Sequence, residues 1–158
     1  KNNKIDISLD CIGRYQDHHL DKLKLKYNFK KLNIRIKKNI SHKNLVKTYK
    51  DYDALIFPSL CESFGLPVLE AAANNLPVLC SNLNVFKEIY GKGCFYFDPK
   101  NPQSILEKIN YFFSLKHKDI IKKTKHNHLI SKKLNWNYCG NNYHKQILNT
   151  LTIYEKKN

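Results

Sequence analysis

Short apolar runs alternate with longer amphipathic stretches along the chain. From Ile5 to Ile12 an apolar run ends at Gly13 and predicts a strand. From Asp17 to Tyr27, Leu20, Leu23 and Tyr27 recur at helical spacing. From Asn33 to Lys37, Ile34 and Ile36 alternate with basic side chains, which is the period of a strand. Ser41 is placed to cap a helix reaching Tyr49, with Leu45, Thr48 and Tyr49 on one side. Ala54 to Phe57 predicts a strand that Pro58 stops.

The second half repeats the alternation. Pro67 suits a first helical turn, where its missing N–H is no loss, and that helix ends near Asn74 and Asn75. Pro77 to Cys80 predicts a buried strand, Val85 to Tyr90 a short helix, and Cys94 to Phe97 a strand. Pro102 starts a helix to Phe113, and the remainder is helical to about Tyr154 with a break near Asn135, Trp136 and Asn137. Strands that alternate with helices imply right-handed crossovers, so the expected fold class is α/β: a Rossmann-like parallel sheet with helices on both faces. One domain over residues 1–158 is expected, with 116–158 as a basic C-terminal helical segment. Ligands of such sheets sit at the carboxyl ends of the strands, so the turn after each strand is the place to look for chemistry.

Composition narrows the field. An apolar fraction of 42% in 158 residues is enough for a globular core. The chain has no methionine and starts at Lys1, which reads as a processed chain or a fragment, with fragment preferred. No apolar run approaches the roughly 20 residues that span a bilayer. Five scattered cysteines, with no CxxC pair, suggest buried reduced thiols and a cytoplasmic protein rather than a disulfide framework or a zinc site.

The charge is +15 and unevenly spread. Residues 22–50 hold eleven basic groups and no acid, and residues 116–133 hold seven lysines and one acid, Asp119. Residues 51–114 between them hold seven acids and four lysines. Basic flanks suit an anionic membrane, a nucleic acid or a phosphorylated ligand, and a solvated lysine-rich surface is the plain alternative. No nucleic-acid motif accompanies the charge, so that partner is not expected. The seven histidines form no ligand set, and His18, His19, His126 and His128 read as surface residues. No metal ligand set and no cofactor are expected.

The most informative turn runs from Pro58 to Glu70, between a buried strand and a helix. Gly65 lets the backbone turn tightly and approach a ligand. The helix N-terminus after it offers free N–H groups and a positive dipole end, a site for phosphate or diphosphate. Glu62 precedes the helix and Glu70 lies about one turn in. Two carboxylates beside a phosphate site suit sugar hydroxyls, which donate to them. Ordinary first-turn acids, favoured by the dipole, are the competing reading.

The stretch P-S-x-x-E-S-F-G-L-P-V-L-E-A, with Glu62 and Glu70 separated by seven residues, resembles the retaining GT-B glycosyltransferases of family four. The likeness extends over roughly residues 5–148. Leu45 to Ser59 resembles the family's helix and strand leading to the site, and Leu76 to Ser81 its next strand. Glu88 stands where the family usually has an acid, and Trp136 matches a tryptophan that often follows. The resemblance implies a C-terminal donor-binding domain. Glu70 would bind the ribose hydroxyls of a nucleotide sugar, and Glu62 would act at the transferred sugar as the catalytic candidate. Backbone groups of Ser63, Phe64, Gly65 and Leu66 would meet sugar and diphosphate. The turn at Asn39 and Ile40 would lie near the base.

The family's donor domain has six strands in the order 3-2-1-4-5-6, and five are predicted here, the run from Ile5 resembling the second. The first, central strand carries an arginine and a lysine that neutralise the diphosphate. Arg14 follows a glycine and stands as a weak substitute. The acceptor lobe is absent as well. The resemblance thus implies a hexose transferase using a UDP- or GDP-sugar and a glycan or lipid-linked acceptor, with retention and without metal, that is inactive as this chain alone. The alternative is a catalytically inactive module that binds a nucleotide sugar or a partner. The basic flanks would suit peripheral contact with the inner face of an anionic membrane.

Overall fold

The structure, a computed structural model, describes residues 6–14 and 17–155. The contacts divide the chain into two compact units, Lys1–Lys47 and Thr48–Asn158.

The first unit holds β1 (Leu9–Gly13), α1 (Asp17–Lys26) and β2 (Ile34–Lys38), and α2 (His42–Thr48) starts within it. The two strands pair in parallel, from Leu9 opposite Ile34 to Gly13 opposite Lys38. The polar positions of the alternating pattern meet across this ladder. The Asp10 side chain is 1% exposed, and it accepts from Arg35 Nε at 2.5 Å and pairs with Lys37 Nζ at 2.7 Å. A buried carboxylate is tolerable only when paired in this way. Asn33 and Asn39 bracket β2 with φ of 54° and 55°, a left-handed conformation that asparagine tolerates better than most residues. Ser41 caps α2 as expected, its Oγ accepting from the Asn44 N–H at 3.4 Å. The predicted strand start at Ile5 lies outside the described residues, and the strand itself begins at Leu9.

The second unit is built on β3 (Leu55–Phe57), β4 (Val78–Ser81) and β5 (Phe95–Phe97), all parallel, with β4 in the middle. Every β4 residue is buried, which explains why its sequence is an unbroken apolar run rather than an alternation. On one face Leu79, Phe95 and Phe97 pack on Phe112 of α5 (Pro102–Ser114), with Ile56, Ile105 and Ile109 around them. On the other, Phe57 meets Phe86 of α4 (Asn84–Tyr90) edge to face, with ring centroids 6.1 Å apart. Fully burying each such aromatic is worth about 1.5–3 kcal/mol. α3 (Leu66–Ala73) contributes buried Val68, Ala71 and Ala72.

Asn101 caps α5, accepting from the N–H groups of Gln103 and Ser104 at 3.0 and 3.4 Å. α6 (His117–Lys133) buries Thr124 and Asn127. α7 (Trp136–Glu155) begins at Trp136, so the predicted break falls one step earlier, at Leu134 and Asn135.

The five predicted strands are all present, and they form two ladders, β1–β2 and β3–β4–β5, each parallel within itself. In the strand order that the resemblance implies, taking out the central strand leaves one pair and one triplet. Among the described residues no strand pairs with the free edge of β3.

Three local expectations are corrected. Only Cys80 and Cys94 are buried; Cys11 and Cys139 are half-buried and Cys61 is exposed, though all five are free thiols. His128 is not a plain surface residue: it is half-buried with Nδ1 3.2 Å from the Ala72 carbonyl, tying α6 to α3. Lys123, in the basic flank, is half-buried over the Phe95 ring at 5.1 Å, and its ammonium donates to the Lys92 carbonyl.

Candidate functional site

The turn from Pro58 to Gly65 leaves the carboxyl end of β3 and enters α3. Ser59 Oγ donates to the Cys61 carbonyl at 3.0 Å and holds the first bend. Gly65 closes the turn at φ 82° and ψ 64°. A Cβ there would lie 2.4 Å from Cε1 of the buried Phe86 ring. Glycine is therefore required twice, by the left-handed backbone and by the ring behind it. The Gly65 carbonyl accepts from Val68 and Leu69 N–H at 3.0 and 3.3 Å, starting the helix.

Among the described residues, the N–H groups of Ser63, Phe64, Gly65 and Leu66 donate no backbone hydrogen bond. Pro67, next in line, has no N–H to offer. Unpaired donors at the positive end of a helix form an anion site. Ser63 and Leu66 are exposed, Leu66 by 61%, Phe64 is half-buried and Gly65 is buried.

Glu62 and Glu70 are both half-buried. Glu70 is oriented by a residue that the periodicity assigned to a helix flank. The chain after α2 tightens into a 3-10 turn, Tyr49–Asp51, and buries Tyr49. The Tyr49 hydroxyl donates to Glu70 Oε2 at 2.9 Å. Burial, then this bond and the Glu70 charge, push the Tyr49 hydroxyl well above the ordinary tyrosine value. It remains a donor throughout the neutral range. One Glu70 oxygen is thus held by tyrosine.

Ile40 belongs to the first unit. There the carboxyl ends of β1 and β2 open into a cavity of about 410 Å³ lined by Ile12, Arg14, Asn39, Ile40 and Ser41 among others. A larger apolar cavity of about 500 Å³ lies in the second unit against Pro77, Phe112 and Ile120. It sits at the amino ends of β3 and β4, the edge where α/β sheets do not place their chemistry. Among the described residues no group of three or more His, Cys, Asp or Glu is placed to hold a metal ion.

Tyr49, Phe86 and the cavity position of Arg14 were not legible as parts of the site. Tyrosine and phenylalanine look alike in an apolar pattern, and only the fold brings Tyr49 to a residue 21 positions away.

The family model described as "Glycosyl transferases group 1" matches residues 1–128. The chain is 42% identical over 77 residues to the serotype-specific mannosyltransferase WbdA of Escherichia coli, covering 49% of this chain and 9% of that protein. It is 38% identical over 65 residues to the O-antigen chain mannosyltransferase RfbU of Salmonella typhimurium, covering 41% of this chain and 18% of that one. The chain therefore spans a small part of the length of these relatives. In fold it is similar to the C-terminal domain of a glycosyl transferase group 1 family protein, LpcC, from Francisella tularensis, with TM-score 0.66 and 24% identity over 80% of this chain and 69% of that one. No described helix is long and apolar enough to cross a membrane.

Proposed function

The chain belongs to the glycosyl transferases group 1 family, and on that premise we propose that it forms the nucleotide-sugar-binding part of a longer hexosyltransferase. The whole protein takes a hexose from a UDP- or GDP-sugar and passes it, with retention, to a glycan or lipid-linked acceptor. The mannosyltransferase names of the relatives WbdA and RfbU favour mannose within that class.

The observation that carries this reading is the Tyr49–Glu70 hydrogen bond on the helix whose leading N–H groups, Ser63 to Leu66, donate no backbone bond among the described residues. A carboxylate already fixed by tyrosine accepts from the paired ribose hydroxyls without paying to order itself. The N–H groups meet the diphosphate and share its growing charge as the sugar leaves. Glu62, before the helix, contacts the transferred hexose. Ile40, at the carboxyl edge of the first unit's ladder, is the residue that the family resemblance assigns to the base. No metal is assigned to the reaction. The resemblance places a basic pair on the family's central strand for which Arg14 is at best a weak substitute, and on that ground the isolated chain turns over no donor. Multiple turnovers of a nucleotide sugar by residues 1–158 alone would overturn that statement.

We place the protein in the cytoplasm, touching the inner face of the membrane through lysines of α6. Lys118, Lys122, Lys125, Lys132 and Lys133 are exposed and suit anionic headgroups. The test of the donor site is isothermal titration with UDP, GDP and their hexose conjugates, beside Glu70→Ala. Binding of one nucleotide, weakened at least tenfold in the variant, is expected. Equal binding by the variant would remove Glu70 from the site.

A further inference from the structure

The two flanks of α6 differ in character. Lys118, Lys122, Lys125, Leu129 and Lys132 follow one another by three or four positions, so they form one stripe along the helix. All five are exposed, Leu129 by 60%. At 1.5 Å per residue the stripe runs for about 21 Å. Asp119, the acid of this helix, falls with Lys123 and His126 on the other flank. The stripe borders the apolar cavity of about 500 Å³, which lies in the same unit. Lys125 lines that cavity, and so does Ile121, three positions from Lys118 and four from Lys125. Pro77, Phe112, Phe113 and Ile120 supply further apolar wall. Phe113 and Ile121 are 43% and 37% exposed, so the apolar lining runs out to the surface. The acid of the lining, Asp53, comes from the loop before β3 and not from α6.

We propose that this cavity takes an acyl chain of an anionic phospholipid, whose phosphate rests on the lysine stripe. The proposal rests on the membrane contact of α6 stated above, to which it adds a ligand and a binding site. A lysine has a long apolar stem and a charged end, so its stem covers apolar neighbours while its ammonium reaches a phosphate. An exposed leucine between lysines gains nothing in water, but it suits the boundary between headgroups and acyl chains. A free phosphate would use the lysines and leave the cavity empty. An uncharged chain would use the cavity and leave the lysines without a partner. A phospholipid carries both chemistries on one molecule, and the stripe and the cavity adjoin. The volume is that of a small-ligand site, about 300–1,000 Å³. Each methylene drawn from water into such a site tightens binding about fourfold.

The experiment uses the protein expressed from its whole reading frame and vesicles of phosphatidylcholine with phosphatidylglycerol. The phosphatidylglycerol carries a photoactivatable diazirine on one acyl chain. Sedimentation reads affinity, and mass spectrometry after illumination reads which peptides the chain has labelled. The expected result is binding at least tenfold tighter than to phosphatidylcholine alone, with label within residues 112–125. The double variant Phe113→Ser with Ile121→Ser keeps every lysine, yet it binds at least tenfold more weakly and loses the label. No label within 112–125 on the wild type, or a double variant that binds as tightly as the wild type, overturns the chain site and leaves the lysine contact standing. The labelling is read on the wild type, so it decides the matter even where the double variant fails to fold. A wild type that ignores the anionic vesicles overturns the α6 membrane contact and this proposal with it. Binding of soluble polyglutamate in that case would identify an acidic protein as the partner instead.

Discussion

Glu70 is useful because of Tyr49. Removing the hydroxyl in Tyr49→Phe takes one hydrogen bond from the carboxylate, and donor affinity drops about tenfold, read by titration, as expected for a lost bond to a charged acceptor. The same pair makes a pH prediction. The folded Tyr49 hydroxyl ionises above its ordinary value of 10.0, so the unfolded chain loses that proton first. Its contribution to stability is whole below pH 10 and is lost as pH rises beyond it. Denaturant midpoints at pH 8 and pH 10.5 then fall more for wild type than for Tyr49→Phe; equal falls would contradict the shift. Gly65 is the other single-residue constraint. Gly65→Ala strains a φ of 82° and drives a methyl into Phe86, costing about 2–4 kcal/mol in denaturant melts. Glu62, Gly65 and Glu70 were legible because a strand, a proline-led helix and their spacing identify the turn. Tyr49 was not, because nothing in a one-dimensional pattern marks which distant carboxylate a hydroxyl will reach.

Elements were read with their boundaries shifted by a residue or two, apart from the first strand, whose predicted start falls outside the described residues. The reason is visible at β4, where a run of four buried residues between turn signals has one solution. What the pattern hid was how α6 is held. Its charge reads as a solvated flank, yet Asn127 is fully buried, with Nδ2 donating to the Gly93 carbonyl at 3.1 Å and reaching Cys94 Sγ at 3.5 Å. Gly93 has no room for a Cβ, which would fall 1.7 Å from Asn127 Oδ1. Polar residues in a lysine-rich helix give no sign that one of them is core. Asn127→Ala leaves the Gly93 carbonyl unpaired and lowers stability by about 1–3 kcal/mol, measured by thermal or denaturant unfolding. An unchanged midpoint would show that the bond has no net worth.

At the scale of the molecule, the parallel α/β class followed from strand–helix alternation, whereas the division into two ladders was not read from the sequence. The exposed lysines of α6 give a surface prediction. Reversing Lys118, Lys122, Lys125, Lys132 and Lys133 to glutamate lowers binding to anionic vesicles at least tenfold, at about 1 kcal/mol per charge near the surface. Lys123 is left out because its ammonium serves the Lys92 carbonyl. Binding that survives the reversal would move the contact elsewhere. The central claim is that Glu62 and Glu70 at the turn after β3 serve sugar transfer. Its most direct test is the rate of hexose transfer from a labelled nucleotide sugar by the protein from its whole reading frame, for wild type, Glu62→Gln and Glu70→Ala. Transfer by the wild type, reduced at least a hundredfold in Glu62→Gln and at least tenfold in Glu70→Ala, is the predicted result. Transfer that proceeds at the wild-type rate in both variants would contradict it.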